Sequence, residues 1–232
     1  FDNSYSNPTY YTKKIVIQGV EVTEAVISNG VTSIGKYAFY KCTGLLSVKI
    51  PDSVTNIGVS AFSGCTNLVS VVIPGNVNEN GSVGDTLFTG CTNLTSVTIL
   101  NDSTSISNCL FNNFQTLTSI NIPNGVTSIG EYAFYNCTEL TSIIIPASVT
   151  SVGKDAFNKC TKLTSMNYLG TLDQWVQINF GNNNSNPAFV TQKLVIQGIE
   201  VTEAVISDGV TSIGHCAFAD CGLTSISIPD SV

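Results

Sequence analysis

Apolar residues in this chain return at a fixed long interval rather than at the short periods of one helix or one strand. Written out once, from Val126 to Pro146, the pattern is V-T-S-I-G-x-x-A-F-x-x-C-x-x-L-x-S-V-x-I-P, and it recurs along the chain. Aligning on the apolar pair at its centre puts Phe39, Phe62, Phe88, Phe111, Phe134 and Phe157 in one column, with spacings of 23, 26, 23, 23 and 23 residues. One coil is therefore 23 residues, and a regular interval of that length is the mark of stacked structural units. The single interval of 26 comes from three extra residues near "NENG", after Val77 and before Val83, which predicts a local bulge.

Within a coil, Leu140-Thr-Ser-Ile143-Ile-Ile145 has the L-x-x-L-x-L spacing of a leucine-rich repeat, whose alternate residues point from a short strand into a core. Pro51, Pro74, Pro123, Pro146 and Pro229 follow these segments and, lacking an amide hydrogen, should end each strand. The Gly after Ile (Gly35, Gly58, Gly84, Gly130, Gly153, Gly214; Ser107 breaks the column) is expected to turn the chain with positive φ. A short helical or 3₁₀ turn would then carry Ala and Phe inward. One coil cannot bury its own apolar side, but a stack can. The expected fold is a repeat solenoid of the leucine-rich repeat, α/β class. It would have a curved parallel β-sheet on the concave face and helical or 3₁₀ turns opposite. About eight or nine coils at a strand spacing of ~4.8 Å would run roughly 40 Å.

A second period overlies the first. "KIVIQGVEVTEAVISNGVTSIG" from Lys14 returns as "KLVIQGIEVTEAVISDGVTSIG" from Lys193, an offset of 179 residues that also relates "FDNSYSNP" at Phe1 to "FGNNNSNP" at Phe180. The expected organisation is the end of a preceding joint with a hairpin strand over 1–21 and regular coils over 22–167. An irregular joint holding the only Trp follows over 168–200, and a second repeat block starts over 201–232. Gln18-Gly19 is expected to turn a β-hairpin.

With 43% hydrophobic residues and a mean hydropathy of +0.25 the chain has ample core material, while charged residues are only 11%. The surface must therefore be hydroxyl and amide rather than ionic. A net charge of −7 and nine scattered Lys and Arg supply no basic patch for nucleic acid or for an anionic membrane. No apolar run reaches the length of a membrane span, and no basic start followed by an apolar stretch marks a signal peptide within these residues, so the signal and anchor are expected to lie outside them. The chain opens on Phe1 and stops inside its own repeat, which reads as a piece of a longer protein whose open ends allow weak self-association.

Candidate chemistry is sparse. Cys42, Cys65, Cys91, Cys137, Cys160 and Cys221 sit three residues after the column Phe, and Phe114 takes that place in the coil lacking it. These are read as a buried ladder of small hydrophobic side chains. Parallel Cβ vectors fit a disulfide poorly, and no C-x-x-C or Cys/His cluster suggests a metal or other cofactor. Cys109 and Cys216, off the ladder, are expected to be more exposed. His215 is the only His and replaces Lys36 of the first copy, so it is read as a surface residue rather than a base. Trp175 is read as core filling, with ring stacking on a ligand as the alternative. The outward strand positions form two columns on the expected concave face: Ser47, Ser70, Ser96, Ser119, Ser142 and Ser165, beside Lys49, Val72, Thr98, Asn121, Ile144 and Asn167. The second column varies on a fixed scaffold, which is where binding specificity would live.

The stretch "SIGEYAFYNCTELTSIIIPASVTSVG", with its counterparts over 22–165 and 201–232, closely resembles the BspA-like, or TpLRR, class of leucine-rich repeat. The segment "GTLDQWVQINFGN" is also similar to one common in such proteins. The resemblance implies a non-enzymatic cell-surface or secreted protein of host-associated bacteria or mucosal protozoa. Adhesion to a host or microbial surface glycoprotein or glycan would be its activity. A structural stalk extending another domain is the alternative. An enzyme is disfavoured by the single His and by the lack of metal-ligand and phosphate-binding motifs.

Overall fold

The structure, a computed structural model, describes residues 14–17, 19–79 and 87–232. The bulge expected near "NENG", the column residue Gly84 and the turn residue Gln18 lie outside them in whole or in large part. The coils stack as expected into a solenoid of about eight turns. Glu24–Val26, Ser47–Lys49, Ser70–Ile73 and Ser96–Ile99 pair in that order as parallel strands, with Ser47 opposite Ser70 and Ser70 opposite Ser96. Ser142–Ile145 and Ser165–Tyr168 repeat the arrangement farther along.

Between them the expected strand is missing: Ser119–Ile122 forms no ladder. This is the coil in which Phe114 replaces the thiol. Phe88 stacks on Phe114 with ring centroids 5.7 Å apart, and Phe114 in turn leans on Phe111 at 6.4 Å. In this coil the core row carries two rings, Phe111 and Phe114, in place of one ring and a thiol.

A second parallel ladder, not foreseen, is built from the Ser-Ile pair before the column Gly. It joins Ser33–Ile34, Asn56–Ile57 and Asn78–Glu79, and separately Ser105–Ile106, Ser128–Ile129, Ser151–Val152 and Asn179–Phe180. Two-residue strands are too short for alternation to reveal them. Thr hydroxyls beside this ladder donate to the backbone one coil away, as from Thr127 to the Thr104 carbonyl at 3.1 Å and from Thr150 to Thr127 at 3.2 Å.

The other side of each regular coil is not helical. Amides alternate instead: Ala38 donates to Gly35 in its own turn at 3.2 Å, whereas Phe39 donates to Ala61 of the next coil at 2.7 Å. Phe111 to Ala133 and Phe134 to Ala156, both 2.9 Å, repeat the second bond. A 3₁₀ helix would turn every amide back into its own chain and leave none for the neighbour. The alternation is bought with left-handed residues, among them Tyr37 (φ 57°), Lys41 (55°), Tyr132 (55°) and Asn136 (57°).

The expected role of the column Gly is corrected too. Gly35, Gly58, Gly130, Gly153 and Gly214 are not among the positive-φ residues. A Cβ on Gly35 would meet nothing within 4 Å, but the other four lack room for a side chain, since a Cβ on Gly130 would lie 2.5 Å from the Asn108 amide nitrogen and one on Gly58 2.8 Å from the Gly35 carbonyl carbon. Backbone meets backbone at this corner in those four coils.

Phe62, Phe111, Phe134 and Phe157 are wholly buried and form a ring stack with centroids 5.0–5.9 Å apart along Phe39–Phe62–Phe88 and 5.4 Å apart along Phe111–Phe134–Phe157. The six column Cys are buried beside it, as expected. They are also hydrogen-bond donors: Cys65, Cys137 and Cys160 donate to the carbonyls of Phe39, Phe111 and Phe134 at 2.9, 3.1 and 3.1 Å. Cys109, expected to be more exposed, is buried, because the next coil closes over it with the Glu131 carbonyl accepting its amide at 2.9 Å. Cys216 is half-buried. Burial pushes the Cys160 thiol up to about 12 and raises Cys216 as well. With Ellman's reagent at pH 8, Cys216 should react first and the other seven thiols only as urea unfolds the chain. Two or more thiols reacting together in the folded protein would contradict the ladder.

The joint keeps its place in the stack. After Ser165–Tyr168 comes a short helix, α1 (Leu172–Trp175), whose cap Thr171 and Gln174 bond reciprocally. Asn179–Phe180 then pairs in parallel with Ser151–Val152, so Phe180 stands where regular coils carry Ile or Val. A second helix, α2 (Pro187–Thr191), is capped by Asn186 and stopped by Gln192 at φ 57°. The hairpins appear as expected. Val16–Ile17 pairs with Val20–Glu21, and Val195–Ile196 with Ile199–Glu200. Gln197 (φ 51°) and Gly198 (82°) supply the two positive φ values of a type I′ turn.

Candidate binding surface

The strand register decides which predicted residues stand together. Lys49, Val72 and Thr98 are cross-strand neighbours, as are Ser47, Ser70 and Ser96, so one continuous patch spans three coils. Lys49, Ser96 and Thr98 are exposed, while Ser47, Ser70 and Val72 are half-buried by their neighbours. A second patch pairs Ser142 with Ser165 and Ile144 with Asn167. Ile144 and Ser165 are exposed, and Ser142 and Asn167 half-buried. Asn167 is already engaged, its Oδ1 accepting the Gly198 amide at 2.9 Å, so it latches the second hairpin to the sheet. Ser119 and Asn121 are exposed but lie in the coil without a ladder. The single array read from the sequence is therefore two patches with an interruption.

Exposed apolar residues beside the first patch escaped the sequence reading. Val26 heads the varied column, opposite Lys49, and is 72% exposed. Leu46 and Val69 are about half exposed at the position before the Ser column, where four other coils carry Thr95, Thr118, Thr141 and Thr164. That departure from Thr was the available signal. Where Thr is present it serves the stack, as Thr141 donates to the Thr118 carbonyl at 3.1 Å.

Charged groups play little part. Lys162 and Glu139 pair at 2.7 Å between coils, and Lys14–Glu21 and Lys193–Glu200 bridge the two hairpins at 2.7 and 3.1 Å. All are exposed and contribute on the order of 0–1 kcal/mol each.

Asp155 is different. Its Oδ1 accepts amide nitrogens from Asn182 (3.0 Å), Asn184 (3.1 Å) and Asn158 (3.1 Å), tying the joint to the preceding coil. Burial alone pushes this carboxyl up, but the three amide donors outweigh it and hold the group below the ordinary carboxylate value. A depressed folded pKa means that the contribution is present above the unfolded value of ~3.9 and is lost as pH falls through the folded one. Melting temperature should therefore drop more steeply between pH 5 and pH 2 for the native chain than for Asp155→Asn. Parallel pH profiles would remove Asp155 from the account.

Trp175 belongs to the core. It is fully buried, its Nε1 donates to the Ala217 carbonyl at 3.0 Å, and its ring packs against Tyr168 (5.3 Å) and Phe180 (5.1 Å). His215 is exposed, with Nδ1 3.0 Å from the Phe180 carbonyl oxygen. Among the described residues no group of three His, Cys, Asp or Glu is placed to hold a metal ion, and no helix is long and apolar enough to cross a membrane.

The sequence profile described as the BspA type leucine rich repeat region matches in six copies over residues 13–83, 81–196 and 192–232. Among solved structures, a leucine rich cell surface protein from Faecalibacterium prausnitzii A2-165 is 29% identical over 68% of this chain and 50% of its own, with a TM-score of 0.48. This chain thus spans half the length of that protein. The leucine rich repeat protein of T. pallidum is 22% identical over 85% of this chain and 75% of its own, with a TM-score of 0.47. One from Bacteroides ovatus is 23% identical over 90% and 73%, with a TM-score of 0.45. No curated protein sequence matches.

Proposed function

Because this chain belongs to the BspA-type leucine rich repeat family, we propose that it is a non-enzymatic binding module of a cell-surface or secreted protein. Its partner would be a host or microbial surface glycoprotein or glycan, held on the outward face of the strand ladder. The carrying observation is the column Val26–Lys49–Val72–Thr98, in which apolar, cationic and hydroxyl side chains succeed one another in strict register beside the row Glu24–Ser47–Ser70–Ser96. Each coil offers one small group at a spacing of ~4.8 Å, so affinity would accumulate over several coils rather than in one deep pocket.

The test is a triple variant, Val72→Glu, Asn121→Glu and Ile144→Glu, assayed against an array of matrix proteins and glycans. Asn121 and Ile144 are exposed and Val72 half-buried on the outward side of its strand, so the fold should persist. Binding should fall at least tenfold in the triple variant and only two- to threefold in each single one, about 0.4–0.7 kcal/mol apiece. If the native chain binds nothing on such arrays, the solenoid acts as a spacer.

A further inference from the structure

Away from the strand face, the stack opens where the last regular coil meets the joint. A cleft of about 340 Å³ lies there, lined by Asn158, Lys159, Asn184, Phe189, Gln192 and Asp220 among others. That volume is at the small end of ligand pockets, roughly 300–1,000 Å³. Its charge is balanced, Lys159 against Asp220. The Nδ2 groups of Asn158 and Asn184 both donate to Asp155 at 3.1 Å, which holds the two amides rigid and directs their Oδ1 ends away from that carboxylate.

The duplication supplies an independent observation. From Lys193 to Gly214 the two copies of the unit differ only at Leu194 (Ile15), Ile199 (Val20) and Asp208 (Asn29). Every lining residue with a counterpart 179 positions earlier differs, by contrast: Asn184 answers Tyr5, Phe189 Tyr10, Val190 Tyr11, Gln192 Lys13 and Asp220 Lys41. The structural residues beside them, Ser185, Asn186 and Pro187, are the same as Ser6, Asn7 and Pro8. Differences also fall off the wall, at Ala188 (Thr9), His215 (Lys36) and Cys216 (Tyr37) among others, but the wall of this cleft is not the wall that the first copy would build.

We propose that this cleft binds a neutral saccharide of one or two rings. Amide carbonyls and the Asp220 carboxylate accept hydroxyl protons, the Lys159 ammonium donates to a hydroxyl or ring oxygen, and half-exposed Phe189 takes the apolar C–H face of the ring. A balanced charge favours an uncharged ligand over an acidic one. The assignment is separate from the strand face and does not depend on it.

Saturation-transfer NMR with glucose, galactose, mannose, N-acetylglucosamine and N-acetylneuraminic acid tests it. At least one neutral sugar should bind, and Gln192→Lys with Asp220→Lys, which installs the residues of the first copy, should weaken it roughly tenfold or more. Thr161→Arg, at an exposed lining position, does the same by obstruction if the double variant does not fold. The strand-face triple variant should bind the sugar as the native chain does. No signal from any neutral sugar, binding of N-acetylneuraminic acid alone, or a signal unchanged in the folded cleft variants would each overturn the proposal. So would loss of binding in the strand-face variant.

Discussion

Alanine in place of Phe134 should destabilise the protein by about 3–5 kcal/mol, the range for truncating a buried aromatic ring. Phe134 is wholly buried, with Phe111 and Phe157 at 5.4 Å on either side, so the lost ring leaves a gap that two coils must share. In a solenoid stability is a sum of coil and nearest-neighbour terms, and Phe134 stands at two such interfaces at once. Phe39, half-buried and stacked only on Phe62 among the described rings, should lose far less, about 1–2 kcal/mol. Urea unfolding of both variants measures the contrast. Equal losses would mean that the ring row is not what couples the coils.

The second large effect is expected at Gly153. Its Cβ would fall on the Glu131 amide nitrogen and within 2.6 Å of the Gly130 carbonyl carbon, and both contacts are backbone that cannot step aside. Gly153→Ala should therefore cost about 3 kcal/mol or more, the upper end of overpacking. Gly90 is the informative control. It has φ 76°, yet a Cβ there meets nothing closer than 3.5 Å, and it occupies the column that elsewhere holds Lys41, Asn113, Asn136 and Lys159, all left-handed. Gly90→Asn should change stability by less than about 1 kcal/mol, since Asn tolerates that conformation. The glycine with unusual φ would thus be replaceable and the one with ordinary φ would not. The reverse order in thermal melts would restore a conformational role for the column glycine.

What the chain showed in advance follows from how far each signal repeats. The Phe and Cys columns recur in nearly every coil, and burial of Phe62, Phe134 and the six thiols could be read from spacing alone. The Gln-Gly pair is a local turn signal, read at Gln18-Gly19, and its copy Gln197-Gly198 turns the second hairpin. The second ladder was hidden because two residues, such as Ser151–Val152, carry no readable alternation. The role of Gly153 was misread because a close approach is a relation between coils, whereas the sequence displays one coil at a time. Cys109 was misplaced for the same reason. On the strand face Ser96 and Thr98 are exposed while Ser47 and Val72 are half-buried, a difference set by neighbouring coils, and no signal within the coil of Ser119 and Asn121 announces that it forms no ladder.

The pairing of Val152 with Phe180 and of Tyr168 with Ile196 carries both ladders into the joint, where they end, and Glu203–Val205 with Ser225–Ser227 starts a separate sheet in the next copy of the unit. A gene that gains or loses one 179-residue unit would then lengthen or shorten the solenoid in whole steps, with each new seam a copy of one already in use. Length becomes a quantity that recombination can adjust in steps of one unit.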